Sequence, residues 1–243
     1  MDKIKNKVLI MSGKGGVGKT TIAVNLAYAL SRMNFKVGLL DVDIHGPNVP
    51  KMLDLSQEKL TSSKDKIVPL KKDNLKVVSL GFMLNKSDSV IWRGPMKHNL
   101  IKQFINDVEW GNLDFLIIDF PPGTGDEAIS VSQLLSNITG TVIVSMPQQV
   151  SLIDVERSID FSRKVNIPIV GIIENMSGSI FGEGTVKVFA KSLNVDFLGS
   201  LGLNEKIRIS GDEGKPFVIQ DSDSKRSFEP IVKKIIGFCE RKK

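Results

Sequence analysis

Apolar residues along this chain fall into short continuous runs rather than alternating patterns. Lys7-Val8-Leu9-Ile10-Met11 is the first, and residues 36–43, 76–80, 114–119, 140–146, 168–173 and 195–198 repeat it. Runs rich in Val, Ile and Leu describe strands covered on both faces, which is the signature of a mostly parallel sheet. Helical patterns lie between them: residues 21–30, a stretch from near Pro95, and a segment after Met146. In that last segment Asp154, Arg157, Ser158 and Asp160 stand polar against Ile153, Val155, Ile159 and Phe161. A final helix is expected over residues 228–240. Residues 56–74, rich in Ser, Lys and Asp, read as an excursion with little core. Alternation of strand and helix over residues 1–243 predicts one doubly wound α/β domain, with no repeat period visible.

Composition narrows the function classes. An apolar fraction of 41% suffices for one sizeable core. No apolar run approaches the ~18 residues of a membrane span, and the N-terminus lacks a signal-peptide apolar region, so a cytoplasmic location is expected. A single cysteine, Cys239, excludes an intrachain disulfide and an intrachain Cys-x-x-Cys metal site. The net charge of +6 is spread over scattered lysines without interleaved aromatics, which argues against a nucleic-acid or membrane partner.

The chemistry sits between the first run and the first helix. Gly13-Lys14-Gly15-Gly16-Val17-Gly18-Lys19-Thr20, followed by Thr21, places a glycine loop between strand and helix, the order a phosphate cradle requires. Glycines let successive N–H groups turn toward phosphate oxygens, and the helix N-terminus adds partial positive charge. Lys19 is expected to reach the β and γ phosphates, and the Thr20 hydroxyl to ligate Mg²⁺. Parallel sheets bind ligands at the carboxyl ends of their strands, where Asp41, Asp43 and Asp119 fall. Asp119 fits the aspartate that serves Mg²⁺ in P-loop enzymes. Asp41 and Asp43 both fall where the second strand ends, and Asp43 is favoured as the residue that faces the site. In Phe120-Pro121-Pro122-Gly123-Thr124-Gly125-Asp126, Gly123 is expected to offer a free N–H to a γ-phosphate.

Lys14, ahead of Lys19, marks a subclass: the loop resembles the deviant Walker A loop of the MinD/ParA/nitrogenase iron protein class. Residues 40–50, Trp92-Arg93-Gly94-Pro95-Met96, residues 118–127 and 147–155, and Ile173-Glu174-Asn175-Met176-Ser177 resemble the Mrp/ApbC family. That resemblance implies an ATPase with two nucleotides sandwiched in a homodimer, Lys14 reaching the partner's nucleotide. It also implies Thr20, Asp43 and Asp119 at Mg²⁺, Asp43 orienting the attacking water, and Asn175 at adenine. Family members carry or help assemble iron–sulfur clusters and donate them to client apoproteins in the cytosol.

The chain departs from the family where Asn175-Met176-Ser177 runs directly into Gly178-Ser179-Ile180-Phe181-Gly182, without the usual Cys-x-x-Cys segment. A cluster bridging two subunits takes two thiolates from each, so the usual iron–sulfur site is absent. Leu201-Gly202-Leu203-Asn204 is a second departure, since the family usually has a proline in this adenine loop. His45 and His98 have no second ligand nearby in sequence, and a zinc site is unsupported. The terminal helix, with Phe228, Ile231, Val232, Ile235 and Ile236 on one face, is expected to dock on the sheet rather than on a membrane. Two other functions stay open at this point: a ParA/MinD-type positioning ATPase and a nickel-insertion ATPase of hydrogenase maturation.

Overall fold

The computed structural model describes residues 1, 3–44, 46–63, 66–83 and 94–242, with residues 94–98 given by backbone alone. His45, Trp92 and Arg93 lie outside the described residues, as does the side chain of His98.

The elements run β1 (Ile4–Met11), α1 (Lys19–Arg32), β2 (Val37–Asp41), α2 (Val49–Met52), β3 (Thr61–Ser63), β4 (Lys66–Val68), β5 (Leu70–Lys72) and β6 (Leu75–Ser79). After a 3₁₀ turn (Leu80–Phe82) come α3 (Gly94–Asn106), β7 (Leu113–Asp119), α4 (Asp126–Leu134), β8 (Gly140–Ser145), α5 (Gln149–Lys164) and β9 (Ile169–Ser177). The chain closes with α6 (Thr185–Ser192), β10 (Phe197–Gly202), α7 (Glu205–Asp212), α8 (Phe217–Gln220) and α9 (Ser222–Arg241). One eight-stranded sheet has the order β10-β9-β8-β1-β7-β2-β6-β5. Every pairing in it is parallel except β5 with β6. This is the doubly wound, mostly parallel α/β sheet the apolar runs predict.

Both faces of the sheet are apolar because successive side chains of each buried strand serve opposite cores. Val8 and Ile10 of β1 join one core with α1 and α9 residues such as Leu26 and Phe228. Leu9 and Met11 join the other with Phe104 of α3, Val131 of α4 and Phe161 of α5. A smaller core under α6 joins Val186 and Ala190 to Ile172 of β9. The sheet therefore lies between two helix layers, and its central strand β1 pairs with β7 on one side and β8 on the other.

Two features go beyond the sequence reading. Residues 56–74 hold an antiparallel pair, β3 with β4, and the edge strand β5. These three-residue strands, Thr-Ser-Ser, Lys-Ile-Val and Leu-Lys-Lys, are too short for an apolar pattern to announce them. The last helix begins at Ser222 rather than near Phe228, because the Asp221 carboxylate accepts the Ser224 N–H at 3.3 Å and caps it.

α9 docks on β10 and α8, with Phe228 edge-on to Phe217 at a ring separation of 5.4 Å. Lys234 Nζ donates to the carbonyls of Phe197 and Leu198 at 3.0 and 2.9 Å. Among the described residues, no helix is long and apolar enough to cross a membrane. Truncating the fully buried Phe228 to alanine is expected to cost about 3–5 kcal/mol in urea unfolding. Lys233→Ala on the exposed face should stay within about 0.5 kcal/mol. Equal, small effects would mean that α9 is not packed as described.

Candidate functional site

Seven parallel strands, β10, β9, β8, β1, β7, β2 and β6, end along one edge of the sheet, and the predicted site residues gather there. The register sets Asp119 beside Ile10 of β1 and beside Asp41 of β2. After Met11 the loop of residues 12–18 turns back into α1, which starts at Lys19. Gly16 and Gly18 hold φ of 82° and 86°, a conformation that side chains rarely adopt. A β-carbon on Gly18 would lie 2.2 Å from Asn175 Nδ2, and one on Gly13 2.3 Å from the Asp154 carbonyl. Gly15 and Gly16 differ: a β-carbon there would meet nothing within 4 Å and would project into open space. The loop is pressed against α5 and β9 behind and bare in front. No side chain caps the first turn of α1 at Gly18, which leaves its N–H groups for a ligand.

Behind the loop lies a buried ionic cluster. Lys19, 6% exposed, places Nζ 2.7 Å from Asp119 Oδ1 and 3.5 Å from Asp43 Oδ2. The Thr20 hydroxyl donates to Asp119 Oδ2 at 2.7 Å. Burial alone would lower the Lys19 pKa, but the Asp119 charge and hydrogen bond outweigh it, so the ammonium is held above its usual value. Asp119 moves up because burial disfavours its charge, with Lys19 and Thr20 opposing. Asp41 is fully buried and pushed up to about 8 by burial and by the neighbouring Asp119. The Ser79 hydroxyl donates to its Oδ2 at 2.7 Å, and the Asp43 N–H to its Oδ1 at 3.1 Å. Asp41 thus shapes the turn behind the site, while Asp43, beyond the end of β2, faces the cleft. Asp43 in turn accepts the Gly46 N–H at 3.2 Å.

The cleft in front of the loop has a volume of about 630 Å³. Gly15, Gly16, Gly18, Lys19, Thr20, Thr21, Asp43 and Asn175 of the predicted set line it. Gly13, Lys14, Val17, Gly123 and Asp119 stand behind or beside it: Val17 is buried, and its carbonyl accepts the Asn175 Nδ2–H at 2.8 Å. The Lys14 carbonyl accepts from the Ser12 hydroxyl at 2.9 Å, and Lys14 is not part of the lining of its own chain's cleft. One expectation is corrected. The Gly123 N–H is not free, because it donates to the Ser12 carbonyl at 2.8 Å and ties the segment after β7 to the end of β1.

The outer walls add residues beyond the predicted site set. α2 supplies Asn48 (its N-cap), Lys51 and Met52; α7 and the turn before it supply Leu203, Asn204, Ile207 and Arg208. Neither four-residue α2 nor polar α7 carries a motif, and only the fold brings them together. Glu174 is a second omission. Its buried carboxylate accepts the N–H groups of Gly184 and Val186 at 2.9 and 3.0 Å, capping α6 from β9. It also accepts the hydroxyls of Ser177 and Ser200. Between these anchors, Gly178 and Gly182 exchange both backbone hydrogen bonds, closing a tight hairpin.

Comparisons with known proteins agree with this geometry. A family model described as ParA, NUBPL iron-transfer P-loop NTPase, matches residues 3–236. An iron-sulfur cluster carrier protein of Methanocaldococcus jannaschii is 48% identical over 255 residues, covering 100% of this chain and 88% of the relative. A cytosolic Fe-S cluster assembly factor NUBP2 homolog of Dictyostelium discoideum is 47% identical over 230 residues, covering 88% of this chain and 87% of the relative. Among solved structures, a nucleotide-binding protein from Archaeoglobus fulgidus in complex with ADP superposes with TM-score 0.78 at 33% identity, covering 88% of each chain. The septum site-determining protein MinD of Pyrococcus horikoshii, complexed with Mg-ADP, shares the fold with TM-score 0.75 at 22% identity, covering 98% of each chain.

The two kinds of glycine predict separable losses. Gly15→Ala should leave urea stability within about 0.5 kcal/mol of wild type, because its methyl meets no protein atom, yet weaken ADP binding at least about tenfold. Gly18→Ala should lose ADP binding and about 1–3 kcal/mol of stability through its positive φ and the Asn175 contact. Identical profiles for the two variants would contradict the geometry.

Proposed function

The chain belongs to the ParA family of NUBPL iron-transfer P-loop NTPases and is an ATP hydrolase, and from that premise we propose a Mg-ATP-driven homodimeric switch in iron–sulfur cluster assembly. The observation that carries the proposal is the joining of Lys19, Thr20, Asp43 and Asp119 at the base of a cleft faced by bare glycines. Phosphoryl transfer needs positioning and charge stabilisation more than covalent chemistry, and these groups supply both. The loop amides and α1 N-terminus receive the phosphate oxygens, with Lys19 beside the terminal phosphates. Asp43 orients the attacking water from the turn that Asp41 and Gly46 hold in place. Asn175, fixed by the Val17 carbonyl, stands at the base.

The donors present suit Mg²⁺. Thr20 and Asp119 offer hard oxygen atoms already in contact, and Asp43 adds a carboxylate nearby. Among the described residues, no group of three or more His, Cys, Asp or Glu forms a cage able to hold a metal by protein ligands alone. That fits an ion which binds through few side chains and completes its shell with phosphate and water. Bound there, Mg²⁺ neutralises charge on the β and γ phosphates.

Lys14 leaves its own cleft and serves a second copy of the chain, which makes association depend on nucleotide. The cargo is an iron–sulfur cluster held elsewhere than at the family cysteines. The only thiol, that of Cys239, is buried against the sheet in α9, and the hairpin at Gly178–Gly182 has none. The chain acts in the cytosol as the nucleotide-driven partner of another cluster carrier or of a client apoprotein. Positioning on DNA or membrane and nickel insertion gain no support, since the likeness to MinD at 22% identity concerns the fold alone.

Two measurements test this. Lys14→Ala and Asp43→Asn should each lower ATP turnover at least about a hundredfold, roughly 2.7 kcal/mol of barrier, while ADP still binds. Turnover of Lys14→Ala at the wild-type rate would end the cross-subunit mechanism. Anaerobic incubation of the purified chain with iron and sulfide should leave it colourless. A stable cluster of about four irons per dimer would overturn the division of labour proposed for the cargo.

A further inference from the structure

Charge in the cleft is unevenly offset. Of the cations lining it, Lys19 is paired with Asp119 and Asp43. Arg208 is bracketed on α7 by Glu205 at 3.4 Å and Asp212 at 2.9 Å. Lys51 is the exception: its side chain is exposed, and its ammonium makes no ion pair or hydrogen bond with any described residue. It stands on α2, directly after the turn that carries Asp43.

α2 is not free to swing away from the cleft. Val49 and Leu53 are fully buried on its inner side. Gly81 leaves no slack beneath it, since a β-carbon there would lie 3.0 Å from the Pro47 carbonyl and from the Pro50 ring. On the opposite side a β-carbon on Gly214 would come 2.6 Å from Asp54 Cβ, so α2 and the end of α7 are pressed together. Lys51 therefore extends from a fixed platform at the mouth of the cleft.

We propose that Lys51 is a second electrostatic contact for the nucleotide's phosphates, supplied from the Asp43 side of the cleft rather than from the glycine loop. The contact rests on the reading of this cleft as the nucleotide site. A polyphosphate entering the cleft meets, in Lys51, a positive charge that no described carboxylate pairs. Because the same short element follows Asp43, attraction between Lys51 and the phosphates also holds the Asp43 turn against the ligand. Lys51 is thus a positioning residue for hydrolysis as well as a binding one.

The test is calorimetric titration of full-length protein with MgATP at low and high salt. Lys51→Ala is expected to weaken binding about threefold and Lys51→Glu about tenfold, with Lys51→Arg within about twofold of wild type. Raising ionic strength from about 0.05 M to about 0.5 M should shrink those differences, because an exposed charge is screened. The thermal midpoints without nucleotide should be unchanged. Wild-type affinity in Lys51→Glu, or a loss equally large at high salt, would overturn the contact. Failure of the wild-type protein itself to bind MgATP would be a different result: it would remove the nucleotide reading, and this contact with it.

Discussion

The arrangement depends on one buried ion pair. Lys19 and Asp119 sit at 2.7 Å with almost no exposure, where each charge alone would cost several kcal/mol to bury. They are tolerated because their remaining hydrogen-bonding capacity is used: Thr20 completes one oxygen of Asp119, and Asp43 stands on the other side of Lys19. Removing one member would strand the other. The pair also ties the first residue of α1 to the end of β7, so it closes the phosphate cradle and the central sheet in one contact. The phosphate end of the cleft is set by where β1 and β7 end.

Around that pair, glycine and carboxylate work as complementary constraints. Gly13 and Gly18 let Asp154 and Asn175 pack where a methyl group would collide, which fixes the loop from behind. Asp41 and Glu174 are acidic residues without access to the cleft, and each organises backbone instead. Asp41 gathers Ser79 and the Asp43 N–H; Glu174 gathers the start of α6 and two hydroxyls. Such buried carboxylates are stable only when their acceptor capacity is filled. The hairpin at Gly178–Gly182 is framed by the second of them.

The sequence disclosed the parts whose causes are local. A five-residue apolar run before glycines and a helix identifies β1, the cradle and α1. An aspartate closing residues 114–119 identifies the end of β7. The choice of Asp43 over Asp41 could not come from alternation, since residues two apart share a face; β2 ends at Asp41, and the turn after it carries Asp43 to the cleft. What escaped was set by distant partners. Nothing beside Gly123 in sequence reveals that its N–H is taken by the Ser12 carbonyl across the sheet edge. Glu174 looks like an ordinary strand residue until β9 and α6 meet. β5 is a lysine-rich edge strand whose pairing comes from β6, not from its own pattern. Lys51 lies just past the motif of residues 40–50 that holds Asp43, and only the packing of α2 against the end of α7 brings it to the cleft.

The central claim is that nucleotide charge is gripped at the β1–α1 cradle through Lys19. Calorimetry of MgADP binding to wild-type protein and to Lys19→Met, with unfolding monitored in parallel to show that both are folded, tests it most directly. The account predicts measurable wild-type binding and at least about a tenfold loss in the variant, or about 1.4 kcal/mol. Equal affinities in two folded proteins would contradict it.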